Sequence, residues 1–162
     1  MRVALVRWTS LVSTAITLCA LAAHVLELPN KLRLDGALWL AVQQSLYRGW
    51  GPVIGPIELT AIASTWILLF LVYRSRVAYA PTLLAALLLS AALSVFFALN
   101  VPVNAALTHW TAQTLPPDWA DHRLRWETGH ALGFALVLVA FIALLRAKYR
   151  DAIEDARDGR GR

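Results

Sequence analysis

With 162 residues, 59% of them hydrophobic and 15% charged, the chain is too apolar for a soluble domain and too short for two domains. Its formal net charge of +5 does not mark a nucleic-acid partner, because the basic residues flank apolar runs and form no basic face interleaved with exposed aromatics. The single cysteine, Cys19, excludes an internal disulfide and a thiolate cluster.

Arg2 and Arg7 precede the first apolar run, Trp8–Leu28, long enough to cross a membrane as a helix. Leu21-Ala22-Ala23 resembles a signal-peptide cleavage site ahead of His24, but the run is long for that role and a retained span is expected. Cys19 lies mid-span, where a small packing residue is expected. In the stretch Asn30–Pro52, Asp35 can cap a short helix carrying Leu38, Trp39, Val42, Leu46 and Trp50 at helical spacing. Gln43, Gln44 and Arg48 then face elsewhere. The pattern predicts an amphipathic surface helix, serving as a lid or as ordinary interfacial packing.

The second span is Val53–Tyr73, followed by a tight turn through Arg74-Ser75-Arg76. The third is Pro81–Val103. A polar segment, Thr108–Arg125, contains Pro116-Pro117-Asp118, a helix start that lets the last helix begin near Trp119. The fourth span is Trp126–Leu145, and residues 151–162 form a charged, Gly-containing tail. The expected fold is all-α: an antiparallel four-helix transmembrane bundle over residues 1–150, with a short surface helix between spans 1 and 2. Trp39, Trp50, Trp110 and Trp119 on one side, with Trp8, Trp66, Tyr73 and Tyr79 on the other, suit aromatic belts. Ten Lys and Arg residues fall on the side of the termini and five on the other, which predicts cytoplasmic termini in a bacterial inner membrane.

Polar residues are set into one end of every span: His24 and Glu27, Glu58, Asn100 and Asn104, Glu127 and His130. Up-down-up-down folding brings all of them to the outward side. By the helical rise His24 lies about 9 Å, Glu58 about 12 Å and Asn100 about 15 Å below that surface. Ionisable groups at such depth usually serve a site. His24/Glu27 and Glu127/His130 are each three apart and share a helix face. With Glu58 they approach the carboxylate-and-imidazole metal sets of helix bundles, suited to iron, manganese, zinc or copper. Two histidines can also ligate a haem between helices or serve a quinone-type site. The plainer alternative is a structural network, in which Glu27 pairs with Lys31, Arg123 pairs with Glu127, and Asn100 and Asn104 bond across helices. Gly51/Gly55 and Gly129/Gly133 fit small-residue helix packing. Glu58 has no partner at helical spacing on its own helix.

Asn100-Val-Pro-Val-Asn104, with Leu107, Trp110, Pro117, Trp119, Arg123 and Trp126, resembles the anthrone-oxygenase-like family of small four-helix membrane proteins. The resemblance covers spans 3 and 4 and their connection. It implies oxidation of a lipophilic aromatic substrate by dioxygen, with Asn100, Asn104, Trp119 and Arg123 on the functional surface. The expected function is therefore an integral-membrane oxidoreductase. Glu58, His24 or His130 is its base, and Asn100, Asn104 and Arg123 hold the oxyanion. A metal at His24, Glu27, Glu58, Glu127 and His130 is one expectation, and a non-catalytic accessory subunit is the alternative. The expected partners are the bilayer and a small lipophilic substrate, without nucleic acid, and with a homo-oligomer left open.

Overall fold

The computed structural model describes residues 2–160, with side chains as far as 151 and at 153. Long apolar runs must satisfy their own backbone polar groups in a bilayer, and helices do so within one segment. The chain forms α1 (Arg2–Lys31), α2 (Gly36–Ser45), α3 (Trp50–Leu71), α4 (Tyr79–Val95), a π-helical turn (Phe96–Asn100), α5 (Val101–Leu107) and α6 (Trp119–Arg160). No strand occurs among the described residues. Four segments are long and apolar enough to cross a membrane: α1, α3, the continuous run Tyr79–Leu107 and Trp119–Asp151. They pack as an antiparallel ring in which α1 adjoins α3, α3 adjoins α4, α4 adjoins α6, and α6 returns to α1.

The half nearest the termini is closely packed. Its core is built largely from small side chains, including Ala61, Ala78, Ala85, Ala92, Ala140, Ala143 and Ala147, with Leu68, Leu89 and Leu144 between them. Small residues let helix backbones approach within a membrane, where lipid supplies no hydrophobic drive to associate. Buried hydroxyls pair Ser10 with Thr65 at 2.6 Å across α1 and α3. Trp66 donates to Ser90 at 3.2 Å across α3 and α4. At the very end, Asp151 forms an ion pair with Arg7 and accepts from Ser75 Oγ at 3.1 Å. Lys148 lies over the Trp8 ring, 3.5 Å from its centroid. α6 continues as helix to Arg160, through the stretch read as a charged tail, and Asp151 ties α6 to α1 and to the α3–α4 turn. The tail's last two residues, 161–162, lie outside the described residues. Cys19 is exposed on the lipid side of α1 and does not pack between helices.

The opposite half is aromatic. Trp39, Leu40, Val103, Leu107 and Trp126 form its buried cluster, edged by Tyr47, Trp110 and Trp119. The surface helix α2 forms where expected. Asp35 caps it by accepting from Leu38 N at 2.8 Å. The stripe it buries differs from the expected one. Gly36, Trp39, Leu40 and Gln43 face the protein, while Leu38 and Leu46 point outward. Gly36 decides this seating, because a Cβ there would run into Leu115 and Trp119. Gln44 then donates 2.9 Å bonds to the free carbonyls of Leu107 and Trp110. The two exposed leucines supply the membrane-facing side of α2.

Candidate functional site

A cavity of about 760 Å³ lies beneath α2, between α1, α3, α6 and the π-helical turn. Two features of the sequence hold it open. Gly51 and Gly55 put no side chain into the space beside α3, and a Cβ at either would meet nothing within 4 Å. The reading of this pair as helix-packing glycines is therefore corrected, whereas a Cβ on Gly133 would meet Leu21 at 3.6 Å, as a glycine in a helix contact does. The second feature is the π-helical turn, a local widening found often at functional sites. Pro102 follows it and has no N–H to return toward the preceding turn, and the Ala98 carbonyl accepts from Arg125 at 2.7 Å.

The cavity walls are mostly apolar, with Leu21, Ile54, Leu59, Leu93 and Phe96 among them. Into them project His24, Gln43, Glu58, Asn104 and His130. His24 on α1 and His130 on α6 meet edge to face, with ring centroids 4.2 Å apart. Tyr47, Trp50 and Trp126 surround His24 at 4.7, 5.2 and 5.0 Å. Both imidazoles are more than nine-tenths buried, and His24 Nδ1 has no hydrogen-bond partner among the described residues.

Asn100 packs against the Nδ1 side of His130. Its Nδ2 donates to the Trp126 carbonyl at 2.8 Å and also contacts His130 Nδ1. His130 Nδ1 itself lies 3.0 Å from the same carbonyl, so an amide donor and a carbonyl acceptor both meet this nitrogen. His130 Nε2 makes no hydrogen bond within the described residues. Gly129 makes this approach possible, because a Cβ there would overlap the Asn100 side chain. Asn104, one turn on, accepts from Trp126 Nε1 at 2.8 Å and keeps its amide nitrogen free beside the cavity.

The expected site residues separate into two groups. Glu58, His24, His130 and Asn104 share the cavity. Glu58 makes no hydrogen bond or ion pair with the described residues. Glu27 and Glu127 lie outside the cavity in an ionic knot around Lys31. Lys31 Nζ is 2.9 Å from Glu127 Oε2 and 3.9 Å from Glu27 Oε2, with side-chain exposures of only 5% for Lys31 and 3% for Glu127. The ammonium also lies 5.0 Å from the Trp126 ring centroid and 5.4 Å from that of Tyr47. The five-residue metal set is corrected by this arrangement. A cation already stands between the two carboxylates, and no three His, Cys, Asp or Glu side chains among the described residues group to hold an ion. A bis-histidine haem fits no better, because imidazoles in direct ring contact leave no room for a macrocycle between them.

Asn100 and Arg123 also take roles other than the expected oxyanion contacts. Asn100 is 1% exposed and acts on His130. Arg123 donates to the carbonyls of Leu34, at 2.9 Å, and Lys31, at 3.3 Å, while stacking on Trp119. It satisfies the open end of α1 and does not pair with Glu127 or enter the cavity.

Three residues that contribute here carried no strong sequence signal. Lys31 had an obvious local partner in Glu27, which hid its cross-bundle partner. Gln43 belongs to the polar positions of α2 that were expected to face away, yet it is buried in the cavity wall with Nε2 unpartnered. Tyr47 donates its hydroxyl to Glu27, and burial followed by the neighbouring carboxylate raises its pKa above the ordinary tyrosine value.

No protein-family model, curated protein or solved structure matches the chain.

Proposed function

We propose that the protein is an integral-membrane oxidoreductase that oxidises a small lipophilic, hydroxylated aromatic substrate with dioxygen. The observation that carries this reading is the pair of buried imidazoles in ring contact at an apolar cavity, with Asn100 seated against the Nδ1 side of His130. Apolar walls with a few convergent polar groups suit an aromatic ligand. In this mechanism His24 or Glu58 takes a proton from an activated methylene of the substrate. His130, in the tautomer that carries its hydrogen on Nε2, and the free amide of Asn104 hold the oxyanion that forms as the ring system delocalises the charge. The carbanion form then reduces dioxygen. The net change turns CH₂ and O₂ into C=O and H₂O, so no external reductant is required. The resemblance of Asn100–Asn104 and the Trp119–Trp126 segment to anthrone-oxidising proteins favours the same chemistry.

The site faces outward in this reading, with both termini in the cytoplasm of a bacterial cell, because basic residues concentrate at the end bearing the termini. An Asp158→Cys variant in a Cys19→Ser background stays unlabelled by an impermeant reagent outside intact cells if that orientation is right.

The decisive experiment is oxygen uptake by purified protein with a hydroxylated anthrone. One carbonyl product per O₂ is expected at a rate well above the spontaneous one. His24→Gln or Glu58→Gln, whichever removes the base, lowers it by about 10²-fold or more. A wild-type rate no faster than the protein-free reaction overturns the proposal.

A further inference from the structure

The cavity is asymmetric in a way that the chemistry alone does not require. Four of the polar groups that project into it, His24, His130, Asn104 and Gln43, lie on the side of α1, α2, α5 and α6, and the fifth, Glu58, stands alone on α3. Its other side lies between α3 and the π-helical turn. There Gly51 and Gly55 leave open space, and Leu59 and Phe97, both cavity-lining, are 55% and 60% exposed. α3 packs on α1 and α4 but makes no more than marginal contact with the π-helical turn or α5. Leu59 is nine residues beyond Trp50, about 13 Å along the helix, and so at acyl-chain depth. Exposed apolar side chains at that depth face lipid.

We infer, resting on the reading above, that the substrate is an amphiphile. Its oxygenated aromatic head sits against His24 and His130, and its aliphatic tail leaves the cavity between α3 and the π-helical turn into the bilayer. Two observations independent of the opening mark the head site. His24 and Gln43 are each 6% exposed, line the cavity, and each keep a polar nitrogen without a partner. Buried polar groups are rarely left so, and an oxygenated ligand supplies the missing contact once the side-chain amide or ring turns to it. The opposite wall holds Glu58, with Arg48 at the turn leading into α3, and is otherwise apolar. A compact water-soluble substrate would have no use for an exit at lipid depth, whereas a tailed one needs it.

The test uses the full chain in phospholipid nanodiscs with an alkyl hydroquinone bearing a diazirine at the end of a dodecyl tail. Photo-crosslinks are expected on the rim at Leu59, Phe97 or Leu93, and excess untagged dodecyl hydroquinone should suppress them. Gly55→Leu, which narrows the gap without meeting a neighbour, should weaken dodecyl hydroquinone binding by about tenfold or more and leave methyl hydroquinone within about threefold. Absence of competed adducts overturns the inference. So do adducts on lipid faces remote from the cavity, such as Ile67 or Val139, and so does equal weakening of both ligands by Gly55→Leu. Competed rim adducts without any oxygen uptake leave the inference standing and defeat the oxidoreductase reading alone.

Discussion

The two halves of this bundle are built from the same helices but by opposite means. Toward the termini, alanines bring the four helices together, and apart from the Arg7–Asp151 ion pair the buried polar groups are mostly hydroxyls that pair locally, as Ser10 does with Thr65, with Thr14 an exception. Toward α2, aromatic and long polar side chains hold the helices apart around a cavity and a buried ionic knot. The first arrangement tolerates no added volume. The second contains space and unpartnered polar atoms, which cost stability and are kept where a ligand uses them. In the function proposed above, one half sets the fold and the other carries the chemistry, and substitutions of the same kind should have opposite consequences in the two.

The largest effect is expected at Lys31. Lys31→Met leaves Glu127 buried without its cation, a loss of about 3–5 kcal/mol. Thermal unfolding in detergent should show it as a large drop in midpoint. The double variant Lys31→Met/Glu127→Met should recover most of the loss, because replacing both members of a buried pair with apolar groups is often near neutral. A double variant as unstable as the single one would mean that the knot is more than a matched pair.

Next comes a direct contrast between the halves. Ala85→Leu forces volume into a residue that is 0% exposed and should cost about 1–3 kcal/mol. Gly55→Leu adds comparable volume beside the cavity, where nothing lies within 4 Å of its Cβ, and should leave the midpoint nearly unchanged. Equal destabilisation by both would erase the distinction between a packed half and an open one.

Gly129→Ala tests a place beside the cavity where the open half is tight. The added methyl must displace Asn100, which breaks its contact with His130 Nδ1. A loss of about 1–3 kcal/mol is expected from overpacking. Activity should fall further than that of Asn104→Ala. Full activity in Gly129→Ala would remove Asn100 from the positioning of His130.

How far the sequence reached follows the same division. All four spans were legible, because membrane helices announce themselves by length and apolarity. The gathering of His24, Glu58, Asn104 and His130 at one end was legible too, since antiparallel helices bring alternate ends together. Less could be read wherever a choice of partner crossed the bundle. Lys31 looked satisfied by Glu27 four residues away, and nothing local pointed to Glu127 on α6. The buried face of α2 was misjudged because hydropathy favoured Leu38 and Leu46, whereas close contact at Gly36 and the two bonds from Gln44 fixed the rotation. The π-helical turn had one cue, a proline two residues after Asn100 in mid-span, but a proline there fits a kink as well as a widened turn. Gly129 gave no hint that its partner was a side chain from another helix.

Tyr47 marks the boundary between the knot and the cavity and should give the smallest effect. Its hydroxyl donates to Glu27, whose side chain is 46% exposed, so Tyr47→Phe should cost about 0.5–1.5 kcal/mol. The pH dependence separates this bond from a packing effect. Burial and the Glu27 carboxylate raise the tyrosine pKa in the folded protein above its ordinary value of 10.0. The folded state therefore binds the phenolic proton more tightly than the unfolded chain does. Its contribution to stability is fully present below pH 10 and fades as pH rises from there through the folded-state value. Unfolding midpoints of wild type and Tyr47→Phe should differ by a constant amount at neutral and mildly alkaline pH and converge above about pH 10. A difference that stays constant through that range would assign the loss to ring packing against His24 and Trp126, and the hydroxyl would drop out of the knot.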